Sequence, residues 1–590
     1  MATETTSRDD FGEVSQLRGL LFEYLSLGAS VVGILALALL LVYVTIDAFG
    51  LWNADDAWLL AYVAAFAFPA VGFLLYAADD PRVTRQSGLA LVGGLVGFFA
   101  LFRGLEALGM GVPRLSWPLA YIFGVLVPVT GYVGYAAYQR PAGAVGIGLL
   151  GRVAGGLGLA VAVTSVFVIA DVYRWFLVFT LGIAPAAAIY AAGRVRASRP
   201  LTYLAVPVAL LGAAAGFVLR EFLVVYPRQW LIYALTLGVP VAVAVAALVW
   251  RRRGERSAAA VAVGLVAVVT TLGYVSGMVG LSRAAVVLLL LTVAVPVGLQ
   301  IDRVLSHGRG SVGLLFPVVL VAGALAGTVL VDLLAATGPS PWLDWSYVTN
   351  PPSTTIADDA GLYPAIVGSI FIITIVALLS FALGVGTAVF LEDYTPDTGP
   401  LATVTRLIQI NISNLAGVPS VVYGLLGLGL FVNLLGLGFG TVVVAAVTLS
   451  LLILPIVIIS AQEAIRSVPD DMRQASYGLG ATRWQTTKNV VLPESLPGIL
   501  TGTILSLGRA IGETAPLIMI GAPTTVFAPP EGLLARTSAM PMQIYAWAAL
   551  PQQDFRYGVV AAGVVTLLVV LIGLNATAIL VRNRYERSDG

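Results

Sequence analysis

The side chains with the most chemical potential sit near the C-terminus of this 590-residue chain. Arg509 and Glu513 lie four residues apart in a strongly apolar stretch, a spacing that sets a guanidinium and a carboxylate on one helix face, where they can neutralise each other. An arginine at the centre of a bilayer costs about 2.5–3.5 kcal/mol even on a lenient scale, so the pair has to face a partner or a wet cavity. A planar guanidinium fork suits an oxyanion. One reading has Arg509 passing an anion, with Glu513 holding or releasing the guanidinium and Thr514 beside it; the other is a static pair that locks the helices together. Asn414 and Ser420, with Gly417 and Pro419 between them, give another helix a polar, breakable start, which suits a pathway lining and a simple kink equally.

Bond-making chemistry finds little support. There are no cysteines, hence no thiolate nucleophile, disulfide or cysteine metal site, and the single histidine, His307, lies in a basic linker without a nearby carboxylate. Lys488, the only lysine, is followed by Asn489, so the phosphate-binding pattern G-x-x-x-x-G-K-[ST] occurs nowhere. Thiol, metal and P-loop chemistry are therefore not expected of this chain, nor a cofactor of its own, and any ATP-driven step needs another subunit.

The elements that position these residues are membrane helices. Hydrophobic residues make up 59% of the chain and charged residues 11%, and apolar stretches long enough to cross a bilayer recur along nearly all of it. The expected class is an all-α polytopic membrane protein of about 16 transmembrane helices. Ten are expected near 27–49, 57–77, 87–102, 117–138, 145–170, 174–193, 202–219, 229–250, 257–278 and 281–300, and six near 312–337, 364–390, 412–435, 438–460, 496–520 and 557–581. Arginine gathers in alternate connections (Arg82 and Arg85, Arg140, Arg194 with Arg196, Arg251 to Arg253, Arg303 with Arg309), which by the positive-inside rule face the cytoplasm. Both termini are then cytoplasmic, in the cell membrane. One connection fits this weakly: residues 391–406 should be cytoplasmic, yet hold Glu392, Asp393 and Asp397 against the single Arg406.

The expected organisation is a cytoplasmic tail over 1–26, an N-terminal membrane domain over 27–300, a linker over 301–311 and a second membrane domain over 312–590. The tail lacks the basic region and cleavage site of a signal peptide, so the first span should remain as an anchor. The first domain repeats: Pro69, Pro128, Pro185, Pro240 and Pro296 stand in similar surroundings at intervals of 59, 57, 55 and 56 residues, as five tandem helical hairpins would place them. No unpaired charge recurs with them, which favours packing kinks over a cavity lining. The loop 338–363 carries Trp342, Trp345 and Tyr347 beside three aspartates; an interfacial aromatic belt explains them better than an external docking site.

Residues 463–497 are the one long polar passage of the second half. Ser467 is expected to cap a helix running from about Val468 to Leu479, with Pro469 just inside it and Gly480 as a left-handed exit. Thr482 and Gln485 have the form of a capping box opening a second helix at Arg483, ended by Pro493. Within this elbow Gln474, Ala475, Ser476, Gly480, Val490, Leu492 and Pro493 match the spacing of the E-A-A-x3-G-x9-I-x-L-P signature of ABC importer permeases, with glutamine, serine and valine in place of glutamate, alanine and isoleucine. The pieces LEDYTP, NISNLAGVPSVVYGLLGLGLF, GRAIGETAPLIMIGAP and MPMQIYAWAALP are similar to PstA-type permease subunits of phosphate-specific ABC importers, over about residues 312–585.

That resemblance implies a six-helix importer core moving inorganic phosphate, with the elbow docking a separate ATPase that binds the ATP and Mg. It also implies a PstC-like permease, two copies of a PstB-like ATPase and a PstS-like external phosphate-binding protein as partners, and no nucleic acid. Alternatives are a permease for molybdate or sulfate, and a membrane sensor or scaffold whose permease half is a relic. Nothing from the family carries onto the first 300 residues.

Overall fold

The computed structural model describes residues 16–586 except 114, 170, 197, 198, 224, 254 and 397; most of the 1–26 tail and the final Arg587 of the C-terminal basic run lie outside it. Among the described residues the regular structure is helical, with a lone bridge between Thr441 and Arg536. The long apolar helices are α1 (Leu20–Ala48), α2 (Asp56–Ala78), α3 (Pro81–Ala107), α4 (Ser116–Tyr138), α5 (Pro141–Ala160), α6 (Val172–Arg194), α7 (Thr202–Leu219), α8 (Gln229–Trp250), α9 (Ala259–Ser276), α10 (Arg283–Ser306) and α11 (Ser311–Leu333). They continue with α12 (Tyr363–Tyr394), α13 (Pro400–Ala416), α14 (Ser420–Leu434) and α15 (Val442–Arg466). After α16 (Asp470–Gly478) come α17 (Arg483–Ile511), α18 (Ala515–Met519), α19 (Met540–Ala548) and α20 (Phe555–Ala576).

The proline repeat has a structural counterpart. In α2, α4, α6, α8 and α10 a five-residue π-helical turn, at 63–67, 122–126, 179–183, 234–238 and 290–294, directly precedes a segment whose second residue is the repeat proline. Proline has no N–H to donate and its ring presses on the carbonyl one turn back. Widening that turn removes the clash and lets the span continue. The same device occurs at 487–491 before Pro493, so the proline expected to end the elbow's second helix instead lies inside α17, which runs unbroken from Arg483 to Ile511.

In the C-terminal bundle α15 is central, packed on α12 and α17, with Val444, Ala445, Ile453, Ala461 and Ile465 fully buried; α20 closes the other side of α17. Helices α13 and α14 meet at 108° across residues 417–419. Whether this bent pair crosses the membrane follows from its neighbours. Glu392 at the end of α12 meets Arg466 at the end of α15 at 2.7 Å, so those ends share one face. The start of α15 lies at the opposite face, where Gly440 N donates to Ile520 O and Thr441 pairs with Arg536. The chain therefore crosses between Tyr394 and Thr441, the bent pair counts as one span, and among the described residues the fifteen single helices plus this pair give sixteen.

Two helices pack differently from a division at the 301–311 linker. α1 packs on α20, and its Ala48 is fully buried in the core of the C-terminal bundle with Phe555 and Val559. α11 packs on α2 and α5 of the repeat region. The loop aromatics also divide: Trp345 is exposed, but Tyr347 is buried, donates to Val559 O at 3.1 Å and packs on Trp547, and Trp342 lies against Gly558.

Candidate functional site

The polar elbow forms as two helices around a glycine. Gly480 has φ +83°, a left-handed conformation that lets the chain turn between α16 and α17 without a side-chain penalty. Thr482 caps α17 with a full capping box: its hydroxyl accepts from Gln485 N at 3.3 Å, and Gln485 Oε1 accepts from Thr482 N at 2.8 Å. Ser467 does not start the first helix. Its hydroxyl donates to Ala464 O at 2.8 Å and finishes α15, while Pro469, with ψ 138°, makes the extended step into α16 at Asp470. Ser476 Oγ lies 2.9 Å from Thr486 Oγ1, which ties α16 to the first turn of α17.

Two carboxylates at the end of α12 hold this region: Asp393 fastens the elbow to the bundle, and Glu392 ties α12 to the end of α15 just before it. Glu392 accepts from Gln462 Nε2 at 2.7 Å and from Arg466 at 2.7 and 2.9 Å, a two-pronged charged contact. Asp393, 6% exposed, accepts from Arg473 Nη1 on one oxygen and Thr487 Oγ1 on the other, both at 2.7 Å, and its backbone carbonyl accepts from Arg483 at 3.3 Å. Arg473 also donates to Ile465 O at 2.9 Å. One aspartate thus touches α16 and α17, and through Arg473 the end of α15. Glu392 and Asp393 account for the acidic start of the 391–406 connection: they face Arg466 at the end of α15 and Arg473 of the elbow, while Asp397 lies outside the described residues.

The elbow's outer surface is apolar for a polar segment. Leu479 is 91% exposed, and Met472, Tyr477 and Trp484 are exposed with it, as are Gln474, Ala475 and Gly480. Val490, Leu492 and Pro493 lie further along α17, where Val490 and Leu492 are half-buried.

The other candidate residues fall at two helix breaks. Arg509 is in the last turn of α17, where a cation suits the helix dipole, and its Nε lies 3.2 Å from Glu513 Oε1. The stretch expected as one span over 496–520 is interrupted, because Gly512 caps α17 and α18 starts only at Ala515, so Glu513 and Thr514 lie in the gap. Asn414 lies in the last turn of α13 and Ser420 opens α14 across the second break. The segments after the two breaks pack together: α14 lies on α18, so closely that a Cβ on Gly424 would come 2.8 Å from Pro516 Cα. The Arg509 side chain is 44% exposed and Glu513 17% exposed. No group of three or more metal-ligating side chains occurs among the described residues.

A family described as the binding-protein-dependent transport system inner membrane component matches residues 384–584, which hold the elbow, its carboxylate fastening and both breaks. The chain is 37% identical over 206 residues to the probable ABC transporter permease protein YqgI of Bacillus subtilis, covering 35% of this chain and 67% of that one. It is 34% identical over 223 residues to phosphate transport system permease protein PstA 1 of Mycobacterium tuberculosis, covering 38% and 70%, and 36% identical over 217 residues to PstA of Mycobacterium leprae, covering 36% and 68%. The chain belongs to this permease family.

Reading the permease's sequence alone missed two groups of residues around the elbow. Glu392, Asp393, Arg466 and Arg473 left one trace, an acidic connection on a face where arginine was expected. Leu479, Tyr477 and Trp484 left another, large apolar side chains inside an otherwise polar passage.

Proposed function

We propose that this permease moves inorganic phosphate across the cell membrane in an ATP-driven importer, with the α16–Gly480–α17 elbow docking a separate ATPase on the cytoplasmic side. The observation that carries the reading is a segment of exposed apolar residues, Leu479, Tyr477 and Trp484, on an elbow joined by short charged contacts to the ends of α12 and α15 and continuous with α17. A surface-exposed Leu, Tyr and Trp at a helix turn suit a protein groove. A rigid attachment lets motion of that groove reach the bundle. Relatives named phosphate transport permeases support the substrate.

In this reading the two helix breaks form the pathway. Broken helices place backbone ends and polar side chains where ions cross in transporters. Arg509 meets the anion, Glu513 takes the guanidinium when the anion leaves, and Thr514, Asn414 and Ser420 supply neutral hydrogen bonds. No covalent bond is made or broken in this chain, and ATP and Mg belong to the partner. The working complex holds this chain, a PstC-like permease covering the face on which Arg509 is open, two PstB-like ATPases and a PstS-like external phosphate-binding protein.

The test is functional docking. The purified chain with its permease partner is expected to bind the ATPase and raise its ATP hydrolysis in the presence of the loaded phosphate-binding protein. A membrane scaffold with a relic permease half leaves hydrolysis at the rate of the free ATPase, and that result overturns the proposal.

A further inference from the structure

The chain leaves α1 and returns from α11 through a single neck. Asp55 Oδ2 accepts from Thr337 N and from Thr337 Oγ1, each at 2.7 Å, and Asp55 N donates to Thr337 O at 3.0 Å. Asn53 Nδ2 donates to Ser340 Oγ at 2.8 Å across 287 residues of sequence. Ala48 O accepts from both Trp342 N and Leu343 N at 3.0 Å. The residues on either side of the intervening chain are therefore hydrogen-bonded neighbours, the geometry that lets one domain sit inside another with little disturbance.

The helices on the two sides of this neck have separate allegiances. α1 packs on α20, the last span of the permease bundle; Ala48 is fully buried in the bundle's core, with Val44 packed against it. Only the last turns of α1, through Val42 and Ile46, reach Leu59 of α2 and Leu115 and Leu119 beside and within α4. α11 stands directly before the bundle in sequence, yet packs on α2 and α5, with Phe316 buried among Ala70, Leu74, Val133 and Ala137. Between Ala48 and the loop at Trp342 lie α2 to α11, ten spans, and an even number returns the chain to the face it left.

We infer that α1 is the permease's own first span, and that residues 49–341 are a ten-helix module inserted between its first and second spans. The permease unit is α1 with residues 342–586. The module hangs from the outer face by the Asp55–Thr337 neck and also touches the bundle where α5 meets α12. Counting spans alone does not separate this from a boundary at the linker, because exchanging α1 for α11 leaves ten helices in one unit and six in the other. Packing separates them. The word permease rests on the family assignment, whereas the first arm of the test reads a distance and stands apart from any transport assay.

The chain is free of cysteine, so cross-linking needs no background removal. Tyr43 lies on α1 and Tyr557 in the first turn of α20, elements that pack together, and both are exposed. The full chain carrying Tyr43→Cys and Tyr557→Cys, with a protease site in the exposed loop after Thr355, is treated in membranes with a short bismaleimide and then cut. The two fragments are expected to remain joined, whereas Val318→Cys on α11 with Tyr557→Cys should give separate fragments. The reverse pattern overturns the inference. As a second arm, a chain lacking 51–339, closed by a short Gly/Ser joint, is expected to keep phosphate uptake within about threefold of the full chain, and a chain lacking 1–311 to lose it. Full uptake by the chain lacking 1–311 also overturns it.

Discussion

Arg473 on the first elbow helix and Asp393 at the end of α12 meet at 2.7 Å with both side chains largely buried, at 18% and 6% exposure. The other oxygen of Asp393 holds Thr487 on α17, and the other arm of Arg473 holds the Ile465 carbonyl of α15. Helices α12, α15, α16 and α17 are thus joined around one ion pair. Removing one partner of such a pair costs about 3–5 kcal/mol, because the other charge is left buried.

Asp393→Asn is expected to uncouple transport: ATP hydrolysis continues while phosphate moved per ATP falls about tenfold, the ~1.4 kcal/mol scale of one decade. Arg473→Lys should behave like the loss, since an ammonium cannot span both Asp393 and the Ile465 carbonyl as the guanidinium fork does. Parallel assays of hydrolysis and uptake read both. Unchanged uptake per ATP in either variant would show that the joint is structural only.

Leu479→Asp is expected to weaken ATPase binding by about tenfold or more, and Trp484→Ala by a similar amount, as for large apolar anchors at an interface. Both side chains are exposed, so thermal stability of the isolated permease should not move. Titration of the ATPase against each variant measures this.

At the helix break, Arg509→Gln and Arg509→Lys should each cut uptake by about tenfold or more at wild-type abundance; replacing a fork by a point charge is not conservative at an oxyanion site. Glu513→Gln is expected to slow release and so lower the turnover of uptake. Normal uptake with reduced abundance in Arg509→Gln would identify the pair as a packing lock.

The 338–363 loop carries a carboxylate helix cap at Asp344. Burial pushes the Asp344 carboxyl up, but hydrogen bonds from Ser346 Oγ and the Ser346 and Tyr347 backbone N–H groups outweigh it and leave the pKa below the ordinary aspartate value. The folded value is the lower one, so the cap is fully present above the unfolded value and drains as pH falls through the folded one. Asp344→Ala should destabilise the turn Trp345–Thr349 by about 1 kcal/mol at neutral pH and remove this acid dependence. Hydrogen exchange of Tyr347 N as a function of pH checks both.

The spans were legible because length and hydropathy alone decide what crosses a bilayer, and the Thr482–Gln485 box because its residues are adjacent in sequence. Pro493 misled because a π turn absorbs it, and Ser467 because the same hydroxyl serves the helix before it. The break at Gly512 was hidden because the i,i+4 spacing of Arg509 and Glu513 fits an unbroken helix equally well. The Asp393–Arg473 joint and the docking of α1 on α20 are meetings between residues far apart in the chain, and neither hydropathy nor spacing encodes them.

The central claim is that ATP hydrolysis by the partner ATPase, acting through the elbow, drives phosphate through this chain. The direct measurement is labelled phosphate accumulation in proteoliposomes holding the assembled importer, with ATP inside and sulfate or molybdate as competitors. The expected result is ATP-dependent accumulation that excess sulfate and molybdate leave unchanged. Absence of accumulation, or its full suppression by sulfate, contradicts the account.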